Sequence, residues 1–163
     1  MKNFQIEFKW GIIFSIFTLL WMYVEKSMGW HTDHISKHQI YTNLLIIPLF
    51  FIIIISFALL EKKKKYYNGF ITWEQGVISG SIISIIICLL TPLIQAIFIN
   101  YISPNYFTDA ALKLSDRGVI SLEKAKEVYN LKATIIDAVV FNLAMGIVTS
   151  AIVAAFMKKK PKA

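Results

Sequence analysis

Four long apolar stretches separated by lysine clusters constrain this chain more than any other feature. Residues 10–24, 40–60, 77–101 and 133–157 are each nearly free of charge. A helix crossing roughly 30 Å of hydrocarbon needs about 20 mainly apolar residues. Three stretches reach that length outright. The first reaches it by borrowing Phe4 to Phe8, with Lys9 snorkelling to the interface. The expected fold is therefore all-α, an integral membrane four-helix bundle in a single domain over residues 1–163, with spans at about 8–27, 40–60, 75–101 and 131–157.

Composition agrees. Apolar residues make up 56% of the chain, against about 45–50% in soluble proteins. The formal charge of +7 does not mark a nucleic-acid binder, because the lysines stand at span ends rather than in an aromatic-interleaved patch. The lone cysteine, Cys88, falls inside the third span, so no intrachain disulfide is expected. The first stretch runs into Glu25, Lys26, Ser27, Met28, Gly29 and Trp30 without an Ala-x-Ala cleavage pattern, which favours an uncleaved first helix over a signal peptide.

Charge sets the expected orientation. Lys62 to Lys65 and Lys158 to Lys160 form runs against span ends, whereas the lysines on the opposite side are dispersed among Asp and Glu. Positive residues collect in cytoplasmic loops, so the expectation is a multi-pass inner-membrane protein with both termini cytoplasmic. The loop of about residues 103–130 then forms an outer helical hairpin. Ser103 before Pro104 reads as a helix start, Gly118 as a stop, and Ser121 as the start of a second helix that continues into the fourth span.

Two spans carry ridges of small residues. Gly76, Gly80 and Ser84 recur every fourth residue in the third span; Thr134, Ala138, Asn142, Gly146, Ser150 and Ala154 do so in the fourth. Such ridges let helix backbones approach closely and face other helices rather than lipid. Pro48 predicts a kink in the second span.

Asp137 and Gln95 lie at similar depth near the outer ends of the fourth and third spans, and Glu25 ends the first on the same side. Intramembrane acids are functional candidates by default, because burying one costs roughly 2–3 kcal/mol on insertion scales. With Asn142 they outline a polar intramembrane site, in which Asp137 is expected to face the bundle interior near Gln95. The alternatives are an Asp137 that is still interfacial, or one that is a structural partner to Gln95. His31, His34 and His38, with Asp33 nearby, are the metal candidates. Structural sites show a closed set of four ligands at recognisable spacing. Solvated histidines in a loop leading into the second span, with Asp33 or Thr32 as a cap, are therefore the preferred reading, and no metal or other cofactor is assigned. No Walker loop, nucleophile elbow or His-Glu-x-x-His motif is present, and no enzymatic activity is expected.

The segments Gly29-Trp30-His31, His38 with Tyr41-Thr42-Asn43, Pro48, Tyr67-Asn68-Gly69-Phe70 and Ser103-Pro104-Asn105-Tyr106-Phe107 also carry a likeness. Together with the order of four spans, they resemble the small bacterial membrane proteins catalogued as domain of unknown function 4199. The resemblance covers essentially the whole chain and rests on turns and interfacial residues. It implies a four-helix inner-membrane protein of Gram-negative bacteria and assigns no activity, so it carries no catalytic residue over.

The functional expectation is a non-enzymatic structural or accessory protein. It would act through helix–helix association in the bilayer, as a homo-oligomer or with a partner membrane protein. The alternative is a small transporter or ion-conducting component. The fourth span below Asn142 offers only Gly146, Thr149 and Ser150, which favours the first. Topology is directly testable: an impermeant thiol reagent should label Ser121→Cys in intact cells and spare Lys160→Cys, and the opposite pattern would reverse the orientation.

Overall fold

A computed structural model describes residues 4–32, 34–118 and 120–159; Asp33 and Lys160 lie outside them. Helices α1 (Gln5–Ser27), α2 (Ile35–Lys65), α3 (Trp73–Ile102) and α6 (Leu131–Met157) are each long and apolar enough to cross a membrane. Two short helices, α4 (Tyr106–Asp116) and α5 (Leu122–Val128), form the hairpin between α3 and α6. The fold is an all-α integral membrane bundle. Helix α1 starts and α6 finishes at the same end, the terminal end; α4 and α5 cover the other, the hairpin end. All four spans present large apolar side chains outward, Leu89, Val140 and Phe156 being 75%, 63% and 87% exposed, as a lipid-facing surface requires.

Local chemistry sets the helix limits. At the end of α1, Gly29 adopts φ +69°. The Trp30 N–H then donates to the Glu25 carbonyl at 2.9 Å and the Gly29 N–H to that of Lys26 at 3.0 Å. This is a Schellman closure, for which a left-handed glycine is the usual residue. Thr72 and Gln75 form a reciprocal capping box at the start of α3. In α2, Pro48 has no N–H to offer Leu44 and its ring crowds that carbonyl. The preceding segment, His38–Ile46, is wound as a π-helix. A second π-helical segment, Phe98–Ile102, ends α3.

Two expectations about the hairpin are corrected. Ser103 does not cap α4, which begins at Tyr106 after Asn105; its hydroxyl is engaged by His31 instead. Nor does α5 continue into the fourth span. Asn130 is extended, and its side chain accepts the Ala133 N–H at 2.9 Å. That cap starts α6 as a separate helix.

The mid-bundle core is a layer of Phe14, Phe51, Ile55, Ile83 and Ile87, all 0–1% exposed, with the Phe14 and Phe51 rings 4.5 Å apart. Beside it the two small-residue ridges meet each other. A Cβ added at Gly76 would lie 2.6 Å from the Ala154 Cβ. One at Gly80 would overlap Ser150, and one at Gly146 would overlap Ser84. These ridges are thus occupied within one chain and are not free to dock a partner. Toward the hairpin end the fourth-span ridge changes character, with Asn142 Nδ2 donating to Thr91 Oγ1 at 3.3 Å and Ala138 and Thr134 lining open space.

Gly80→Ala should lower stability by about 1–3 kcal/mol, the usual cost of overpacking, and Ser150→Gly in the same chain should restore part of it. Reversible unfolding in mixed micelles measures both. An unchanged single variant would mean that the ridges do not touch.

Candidate functional site

The Schellman turn at Gly29 folds the chain back, so that His31 returns beside Glu25, the residue whose carbonyl anchors the turn. The π-helical start of α2 then turns His38 and Thr42 toward the same carboxylate. Glu25 is fully buried and His31 is 2% exposed. His38 Nδ1 lies 3.0 Å from Glu25 Oε2, and His31 Nε2 lies 3.5 Å from that oxygen. Thr42 Oγ1 donates to Glu25 Oε1 and accepts from Trp21 Nε1 at 3.1 Å. His31 Nδ1 pairs with Ser103 Oγ at 2.7 Å, which joins α3 to the cluster. The rings of Phe98 and Tyr106 stand edge-on to His31, with centroids at 5.0 and 5.7 Å. Burial pushes the Tyr106 phenol well above its ordinary value, so its hydroxyl stays protonated. One ligand atom from each of Glu25, His31 and His38 lies within 4.8 Å of the others.

Next to this cluster a cavity of about 430 Å³ opens among α1, α2, α3, α6 and the hairpin. His38, Thr42, Gln95, Thr134, Asp137 and Asn142 supply its polar lining, and Trp21, Phe98, Tyr106, Tyr129 and Phe141 its aromatic walls. Gln95 is 7% exposed and its Oε1 is buried without a partner. Asp137 and Gln95 line the same cavity, but Asp137 is exposed rather than enclosed in the bundle. Glu25 sits apart from both, paired with the histidines. Of the three histidines, His34 is exposed on the turn and outside the cluster, because His31 and His38 reach Glu25 from a turn and a helix rather than from one helical face.

A polar cluster at the terminal end has no counterpart in the sequence reading. Lys62, taken there as part of a topology signal, is 5% exposed and forms an ion pair with fully buried Glu7. Ser79 Oγ donates to the same Glu7 Oε1 at 2.6 Å, and Oε2 is left without a partner. Beside it, Glu61 accepts from Lys9, from Trp10 Nε1 at 2.8 Å and from Lys65 at 3.0 Å. The terminal half is therefore less dry than the fourth span alone suggests. The signal was the acid at Glu7 within reach of a span end, but nothing local tells which lysine of the run it meets.

A family model described as Protein of unknown function (DUF4199) matches residues 9–159. No curated protein and no solved structure matches.

Lys62→Met strands the Glu7 carboxylate in a buried site, and the expected loss is about 3–5 kcal/mol, most of it recovered when Glu7→Gln is added. A double-variant cycle read by unfolding in micelles tests this. Additive losses would show that the two groups are uncoupled.

Proposed function

The chain belongs to the family described as Protein of unknown function (DUF4199), and we propose that it is a non-enzymatic accessory protein that captures a small amphiphilic cation in its hairpin-end cavity. The observation that carries this reading is the acceptor-rich lining. Asp137 supplies a carboxylate and Gln95 a buried, unpartnered Oε1. A buried acceptor left unmade costs about 1–3 kcal/mol, which a donor on a ligand would recover. The aromatic walls suit an ammonium group through cation–π attraction, and the apolar remainder suits an attached hydrocarbon chain. The lysine runs at the terminal end support both termini being cytoplasmic, an orientation that opens the cavity toward the outer side. In the bacterial inner membrane that the family resemblance implies, this is the periplasm. Capture is favoured over conduction by the packed layer of Phe14, Phe51, Ile55, Ile83 and Ile87 between the cavity and the terminal end.

The test uses full-length protein in lipid nanodiscs, with empty discs as the partition control. A medium-chain alkylammonium should shift Trp21 fluorescence saturably and the matched alkyl carboxylate should not. Asp137→Asn should weaken ammonium binding roughly ten- to a hundredfold, the worth of a hydrogen bond to a charged group. Equal response to both amphiphiles, or an unaffected Asp137→Asn protein, would overturn the reading.

A further inference from the structure

The geometry points to a metal site for a first-row divalent cation, held by Glu25, His31 and His38 next to the cavity. Two imidazoles and a carboxylate are a donor set shared by zinc and non-haem iron centres. Metal–nitrogen and metal–oxygen bonds near 2.0–2.2 Å place two ligands of a tetrahedral ion about 3.3–3.5 Å apart. The separations from Glu25 Oε2 to His38 Nδ1 and to His31 Nε2, 3.0 and 3.5 Å, bracket that edge. The full triad closes within 4.8 Å, so small side-chain rotations suffice.

A second, independent observation is the state of His31. Its ring is 2% exposed, and Nε2 is buried with no hydrogen-bond partner while directed at a carboxylate. His31 Nε2 and Glu25 Oε2 thus face each other across 3.5 Å without a hydrogen bond, a gap that a shared cation would close. Supporting contacts match those of metal centres, in which the remaining ring nitrogen and the remaining carboxylate oxygen are engaged. Ser103 takes the far nitrogen of His31, and Thr42, itself held by Trp21, takes Glu25 Oε1 and leaves Oε2 for the ion. Phe98 and Tyr106 fix the ring planes. Three protein ligands leave one coordination position open.

The test is zinc titration by calorimetry on full-length, tag-free protein stripped with chelator in detergent or nanodiscs, paralleled by cobalt absorption. The expected result is one saturable zinc equivalent and a four-coordinate cobalt spectrum. His31→Gln and His38→Gln should each abolish the equivalent, and His34→Gln should leave it intact. Ser103→Ala, which removes only a supporting contact, should weaken binding about 10–100-fold. If the ligand variants do not fold, the cobalt spectrum of the natural chain and the Ser103→Ala shift decide. A hexa-aqua-like spectrum, no saturable zinc, or binding lost with His34→Gln would overturn the site.

Discussion

The close approach of α3 and α6 is the contact on which the rest of the bundle depends. Lipid offers no hydrophobic drive for helices to associate, so their backbones must come near enough for dispersion contacts to accumulate. Gly76, Gly80 and Gly146 make this possible, since a Cβ at any of them would run into Ala154, Ser150 or Ser84 across the interface. Above Gly146 the two helices stay joined through Asn142 to Thr91 and Cys88 to the Val139 carbonyl, while Asn142, Ala138 and Thr134 line a cavity. One ridge therefore both closes the terminal half of the molecule and, by changing composition, leaves room in the other half.

Helix α1 is pinned to this framework by a carboxylate at each end. Glu7 and Glu25 are separated by roughly 27 Å of helical rise, close to the thickness of the hydrocarbon region. Both are fully buried in protein. That spacing sets the two acids at opposite ends of the span, and an acid costs less near an interface than at the midplane. Glu7 meets a lysine and a serine; Glu25 meets two histidines and a threonine. The first partner set supplies an ammonium and a hydroxyl to one oxygen and leaves Oε2 without a partner. The second supplies two imidazoles, the donor set on which the proposed metal site rests. Both π-helical segments of the bundle border that end, and such segments recur at functional sites.

Periodic features were the ones legible along the chain. The spans follow from length and hydropathy, and the ridges from spacing by four, because both are one-dimensional patterns that any helix converts directly into a face. The cap at Ser121 was readable for the same reason, since its hydroxyl accepts from Lys124 within its own turn. Ser103 misled because its local signal as a cap was outcompeted by a histidine distant in sequence. The pairing of Lys62 was not legible, because a lysine run reads as a topology signal whichever member of it is buried.

What the sequence determined by itself is that this chain crosses the membrane four times as helices, with lysine runs at one end and small-residue ridges on the third and fourth spans. In lipid every backbone polar group must be satisfied within its own helix, so this much follows from composition and order. Tertiary structure alone decided that the ridges meet each other, that Glu25 gathers His31 and His38 but not His34, and that Asp137 and Gln95 share a cavity without either joining that cluster. Those outcomes depend on contacts such as His31 to Ser103, 72 residues apart. A bond of that kind forms only after the helices have packed, so no local pattern encodes it.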